Sequence, residues 1–160
     1  MAIITLSGRV ALAAALKAKP LHIAWGTGVP AWDNAMVPES TDTTALVAEV
    51  GRRTILIAQY CVPDAAGSIA LPGSRFSVAL VPTNFLYLRA TFEFEDAATD
   101  AIREVAIFSD TELVSGLPPG QMYFTPNQIA SPGLLLAVER FPSITRSSSV
   151  RQSFDFVLNI

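Results

Sequence analysis

A run of alternating residues, FLYLRATFEFE at positions 85–95, constrains the fold of this chain more than any other feature. Apolar residues occupy every second position, which is the period of a β-strand with one buried and one wetter face. A register slip of one residue would expose the whole apolar row, so the register of the strand should be well defined. The predicted inward row is Leu86, Leu88, Ala90, Phe92 and Phe94, and the outward row is Tyr87, Arg89, Thr91, Glu93 and Glu95.

Further β-type segments fill the chain from about residue 52 onward. They are rich in Val, Ile, Phe, Tyr and Thr, and Pro, Gly, Asn and Asp divide them at short intervals. Only one region between them could host another helix, and residues 96–100 are too few for a regular crossover, which argues against a parallel α/β sheet. The prediction is a mainly β fold, an antiparallel β-sandwich. Its strands are placed at residues 53–62, 75–81, 85–95, 103–109, 134–141 and 150–158, with a shorter one at 121–124.

The first 50 residues have a different pattern. An Ala-rich helix is predicted over residues 8–18, with Ser7 as its N-cap and Pro20 after its end. A short strand at 21–25 and a long Trp-, Pro- and Gly-containing loop follow, and a second helix is possible over 44–50. We therefore predict one domain, with an N-terminal helix and irregular region at 1–50 and the β-sandwich at 51–160.

The composition points to subunit interfaces. Hydrophobic residues make up 51% of the chain and charged residues 16%, against about 25% in an average globular protein. The apolar runs are far shorter than a membrane-spanning helix, so membrane insertion is not predicted. The net charge is −3, and no basic run exceeds Arg52-Arg53, so nucleic acid is not a predicted partner. The surplus apolar surface is best explained by contacts with other protein subunits.

No catalytic, cofactor-binding or metal-binding residue is predicted. His22 is the single histidine and is interpreted as a partly buried strand residue. Cys61 is the single cysteine, which excludes an internal disulfide and predicts a buried structural position in a reducing compartment. The Gly26-x-Gly28 pair follows a strand, as in dinucleotide-binding motifs, but Pro30 stands where a phosphate-binding helix should begin.

The densest acidic patch has two alternative interpretations. Glu93 with Asp96 or Asp100 could form the acid–base pair of a hydrolase acting on cell-wall or capsule polymer. The spacing fits neither this pair nor a calcium loop well. Carboxylates on one face of a strand are more typical of a solvated surface, or of one that meets a partner's basic patch.

The loop over residues 25–40 concentrates large side chains outside regular structure. Its two tryptophans either cap the end of the core, or Trp32 at least anchors a neighbouring subunit. Exposed aromatic residues could instead stack on sugar rings. The residues predicted to lie at interfaces are Trp25, Trp32, Met36, Tyr87 and Arg89.

Two segments resemble structural proteins of bacteriophage tails and baseplates, of the tail fibre or baseplate wedge type. The first is LHIAWGTGVPAWD followed by TTALVAEVGRR, in which Gly26, Thr27, Gly28, Thr44, Leu46, Glu49 and Arg53 carry the match. The second is LLLAVERFPSITRSSSVRQSFDFVLNI, in which Phe141, Ile144 and residues 154–160 carry it.

The resemblance implies a structural component of the virion tail or baseplate that is made in the host cytoplasm. Such a component joins neighbouring tail proteins as an oligomer or ring subunit, and it has no enzymatic activity, cofactor or small-molecule substrate. The alternative is a carbohydrate- or host-receptor-binding module of a tail fibre, with Trp25, Trp32 or Tyr87 stacking on sugars.

Overall fold

A computed structural model describes all residues of the chain, 1–160. The mainly β fold with antiparallel sheets and an N-terminal helix is confirmed. The helix is α1 (Leu6–Lys17), and short 3₁₀ helices occupy Pro30–Asp33 and Pro126–Gln128. The strands are β1 (Leu21–Gly26), β2 (Glu49–Thr54), β3 (Ile57–Pro63), β4 (Ile69–Leu71), β5 (Ser74–Val78), β6 (Phe85–Phe92), β7 (Ala101–Ser109), β8 (Glu112–Leu113), β9 (Tyr123–Phe124), β10 (Ile129–Ser131), β11 (Leu134–Thr145) and β12 (Gln152–Asn159).

Helix α1 begins earlier than the sequence pattern predicts. Thr5 is the N-cap, because its backbone is extended and its hydroxyl oxygen accepts a hydrogen bond from the Gly8 amide at 3.2 Å. The prediction of Ser7 as N-cap was wrong, since Ser7 already lies in the first turn. The helix ends at Lys17, and Pro20 follows as predicted.

The chain forms two compact units, each assembled from separate segments. The first unit contains residues 1–19, 55–90 and 153–160, and the second contains 20–54 and 91–152. The first unit therefore contains both ends of the sequence, and the second is formed by two internal segments. The single-domain interpretation stays a prediction.

The first unit contains a five-stranded antiparallel sheet in the order β12-β6-β3-β5-β4. Strand β3 pairs with β6 and β5, in a register that sets Cys61 opposite Phe85 and Val78. A core cluster of Cys61, Ile69, Phe76 and Tyr87 lies on this sheet. The predicted buried strand position of Cys61 is confirmed.

The second unit contains a five-stranded sheet in the order β11-β7-β1-β2-β9, and β8 pairs separately with β10. All six residues of β1 are buried, including His22, as predicted for that histidine. The possible helix over residues 44–50 was wrong. Leu46 instead packs with Ala24 and Phe108 in a core cluster, and β2 begins at Glu49, paired with Gly26.

The alternating row on β6 is confirmed over most of its length. Leu86, Leu88, Ala90 and Phe92 are buried. The prediction for Phe94 was wrong, because β6 ends at Phe92 and the Phe94 side chain is 40% exposed. The predicted wetter position of Tyr87 was also wrong, because the outward face of the strand carries the core cluster of the first unit.

Candidate assembly surfaces

Helix α1 exposes an apolar surface. No charged or polar side chain occurs between Arg9 and Lys17, yet only Ala13 is buried. The most exposed side of the helix carries Ala11, Leu12 and Ala15. A helix with apolar residues on all sides is normally buried, whereas α1 has only one buried residue.

Two polar contacts at the ends of α1 hold it within the first unit. The Lys17 ammonium lies 5.2 Å from the ring centroid of Tyr60 on β3. The Arg9 guanidinium donates a hydrogen bond of 3.0 Å to the main-chain oxygen of Ile160. These contacts fix both ends of the helix and leave Ala11, Leu12 and Ala15 exposed between them.

Other exposed apolar side chains of the first unit lie before α1, on β3 and β5, and in connections between strands. Leu80, in the connection between β5 and β6, is 99% exposed, and Leu56 precedes β3. Scattered apolar residues are ordinary on protein surfaces, but this unit carries many of them. They are Met1, Ile3, Ile4, Leu6, Leu12, Leu56, Ile57, Val62, Val78, Leu80 and Val81.

Two predicted interface residues, Tyr87 and Arg89, form hydrogen bonds with Asp155. The Arg89 guanidinium donates two hydrogen bonds to the Asp155 carboxylate, at 2.6 and 2.9 Å, and the Tyr87 hydroxyl donates a third at 2.6 Å. Burial, then the bond to Asp155, raises the pKa of Tyr87 to about 12. Burial alone would raise the pKa of Asp155, but these hydrogen bonds lower it. Arg89 is exposed while Tyr87 is buried, so of the two only Arg89 presents a side chain at the surface.

Trp25 is enclosed in the second unit. Its ring is fully buried and stacks on Phe92, with centroids 3.5 Å apart and planes 7° apart. Its indole N–H donates a hydrogen bond of 3.1 Å to the Tyr123 hydroxyl oxygen, and the Arg146 guanidinium lies 5.0 Å from the ring. Trp25 thus occupies a core position, as the first of the two interpretations describes.

Trp32 is also buried and fixes the loop over residues 27–48. The Arg140 guanidinium of β11 lies 4.7 Å from its ring centroid. Gly28 has φ +56°, and a Cβ at that position would collide with the Trp32 ring. Only glycine therefore allows both the left-handed backbone and this packing.

Two carboxylates of the 27–48 loop bind amides of the edge strand β11. Asp33 accepts a hydrogen bond of 2.9 Å from the Ser143 amide, and Glu39 accepts one of 2.8 Å from the Arg140 amide. Asp33 also accepts two bonds from Arg103, at 3.0 and 2.7 Å. These bonds, led by those from Arg103, lower the pKa of Asp33 to about 2. The loop therefore protects part of a sheet edge that would otherwise present unpaired amides.

The outer surface of this loop is apolar and acidic. Met36, a predicted interface residue, is exposed, as are Val37 and Val47. A groove of about 270 Å³ lies beside it, between the 39–43 segment and residues 135–138 of β11. Burial and the nearby Glu39 carboxylate raise the pKa of Glu139. The carboxylates of Glu39, Asp42 and Glu139 belong to this surface or its border.

The acidic patch considered as a hydrolase pair is bound to arginines. Arg53 donates to the Asp96 carboxylate, and Arg151 donates to that of Glu93. Asp96 also accepts a hydrogen bond of 2.7 Å from the Glu93 amide, which closes the turn after β6. No group of three or more His, Cys, Asp or Glu residues lies in an arrangement that could hold a metal ion. No helix is long and apolar enough to cross a membrane.

Comparison with known proteins adds the decisive observation. The family described as "Baseplate wedge 3 tail fiber network component" matches residues 1–160. The chain belongs to this family. The resemblance to phage tail and baseplate structural proteins is thereby confirmed. None of the curated proteins matches the chain.

Membership in this family indicates the general role of the chain. It is a structural component of the baseplate wedge and tail fibre network of a phage, and its family description places it in the virion tail or baseplate. As a network component it interacts with other tail proteins. The predicted interface residues Trp25, Trp32, Met36, Tyr87 and Arg89 stay predictions in that role.

Sequence reasoning missed α1 and the acidic side of the 27–48 loop as surfaces. The sequence did indicate an exposed surface on α1, because a helix that is apolar on every side still exposes apolar side chains when only one face packs on a sheet. The signal for the loop was weaker. The contacts of Glu39 and Asp33 with β11 join residues 101 and 110 positions apart, which no local pattern reveals.

Proposed function

We propose that the chain works as a non-enzymatic connector, which joins neighbouring wedge and tail fibre proteins through exposed apolar surfaces. The observation that carries the proposal is α1, whose apolar side chains surround the helix while only Ala13 is buried. Burial of such a surface is strongly favourable, at about 25 cal/mol per Å². Contact with another subunit supplies that burial.

The polar clusters support a structural role rather than catalysis. Glu93 and Asp96, two of the three residues of the hydrolase alternative, which also included Asp100, accept bonds from Arg151 and Arg53 and so are occupied within the fold. A general acid needs a raised pKa and a general base needs access to substrate. The arginine partners occupy the carboxylate oxygens.

The aromatic residues required by the sugar-binding alternative are also unavailable. Trp25, Trp32 and Tyr87 are all buried, so their rings offer no open face for stacking. We therefore favour the connector over the receptor-binding module. The proposal includes assembly in the host cytoplasm, without direct contact with nucleic acid or membrane.

The test is the native mass of the purified chain, measured by light scattering, alone and mixed with the wedge and tail fibre proteins of the same phage. We expect a defined oligomer or a mixed complex. A monomer that binds none of these proteins would contradict the connector role. Binding to a glycan array that is lost in Trp32→Ala, without loss of fold, would favour the receptor-binding module.

A further inference from the structure

The charges of the chain are divided along the sequence. Arg9, Lys17 and Lys19 precede the first acidic residue, Asp33, so all 14 acidic residues lie from Asp33 onward. Helix α1 is accordingly flanked by basic residues, in a protein whose net charge is −3. Its partner surface should therefore be apolar and acidic.

Such a surface is present on the same chain. The groove between the 39–43 segment and residues 135–138 is apolar along β11, where Leu135, Leu136 and Val138 line it. Glu39 stands at the groove, Asp42 lies in its loop segment, and Glu139 follows on β11. At about 270 Å³ the groove is large enough for a leucine side chain.

The outward side of α1 has a matching shape. Ala11 and Ala15 are small and exposed, so a partner can approach the helix backbone closely. Leu12 stands between them, 49% exposed. On this side of the helix Leu12 projects beside two small residues, with Arg9 one turn away.

We infer that α1 of one copy binds the groove beside β11 of a second copy, with Leu12 in the groove and the basic helix ends near Glu39, Asp42 and Glu139. Because the two surfaces differ, the contact is head-to-tail. Repetition of a head-to-tail contact produces a ring if it closes and an open chain if it does not. The inference rests on the proposed connector function and specifies one of its partners as the chain itself.

The test is sedimentation of the full chain over a range of concentrations. We expect self-association that weakens about tenfold or more in Leu12→Ser, because the buried apolar contact is lost. Ala15→Gln, which places a longer polar side chain on the same side of the helix, should weaken it as well. Leu56→Ser is the matched control, since Leu56 is exposed and belongs to neither α1 nor the groove, and it should associate like the native chain. Circular dichroism should show all three variants folded.

The charges are tested by reversal. Arg9→Glu should weaken self-association, and adding Asp42→Arg to the same chain should restore it, because each interface again pairs opposite charges. Equal loss in Leu56→Ser and Leu12→Ser would overturn the inference, as would failure of the double variant to recover.

Other outcomes separate the inference from the proposed function. A chain that stays monomeric but binds other wedge or fibre proteins would overturn the self-contact and leave the connector role standing. A monomer that binds none of them would overturn both. Binding to phosphatidylserine vesicles that is lost in Leu12→Ser, without self-association, would overturn the inference and assign α1 to an anionic lipid surface.

Discussion

Phe92 makes one of the closest aromatic contacts in the second unit, because its fully buried ring stacks on Trp25 and meets the Tyr123 ring edge-on. Phe92→Ala would leave a cavity under Trp25. We expect the free energy of unfolding to fall by about 3–5 kcal/mol, measured by urea denaturation. Phe94→Ala is the control, since Phe94 is partly exposed, and it should cost less than about 1 kcal/mol. Equal losses would show that the end of β6 is wrongly placed.

His22 should make the stability depend on pH. Burial, then the charge of Arg52, lowers its pKa from 6.5 to about 4 in the folded chain. Between these values the unfolded chain binds a proton that the folded chain does not, so stability falls as the pH drops from about 6.5 to about 4. The full loss is roughly 3 kcal/mol, and below pH 4 His22 adds nothing more.

The contribution of His22 is isolated by comparison with His22→Gln, which cannot titrate. The difference in unfolding free energy between the native chain and this variant should shrink or change in favour of the variant as the pH falls from 6.5 to 4. Several carboxylates with lowered pKa values, such as Asp33, lose their charge only at lower pH. A difference that stays constant from pH 7 to pH 4 would contradict the assignment.

At the scale of the elements, the 27–48 loop depends on Asp33. This carboxylate joins Arg103 of β7 to the Ser143 amide of β11, and Arg103 is itself buried. Asp33→Asn removes the charge that both donors need. We expect faster hydrogen exchange at the Ser143 amide and faster protease cleavage within the loop. Asp42→Asn, the same change in the same loop, should leave both rates unchanged when they are measured on the dilute, monomeric chain.

The elements also show which predictions the sequence supports. Strand β6 was predictable because alternation alone determines which side chains share a face. The failure at residues 44–50 has a physical reason, since apolar residues at helical spacing can equally be an extended segment that buries Leu46 alone. Tyr87 could not be placed from sequence, because its partner Asp155 lies 68 residues away.

The candidate surfaces were likewise predictable only in part. The excess of apolar surface over the needs of one core followed from composition, and α1 accounts for part of it. Which aromatic residues would be exposed did not follow, because a buried and an exposed tryptophan look alike in a sequence. Trp25 and Trp32 owe their burial to Phe92 and Arg140, which lie 67 and 108 positions away.

At the scale of the whole molecule, the boundaries between the two units fall inside strands. Residues 90 and 91 of β6 belong to different units, and so do residues 152 and 153 of β12. Unfolding of either unit would therefore disrupt strands that continue into the other. We expect the chain to unfold in one cooperative step, as a single domain does.

Two natural reporters can test this, one in each unit. Trp25 and Trp32 report by fluorescence on the second unit, while Cys61, buried in the first, reports by its reactivity with a thiol reagent. In urea the two signals should change at the same midpoint and with the same slope. Midpoints that differ would instead show two domains that unfold separately. In that case the surfaces on α1 and beside β11 would belong to independently stable modules, and each could be tested for partners by itself.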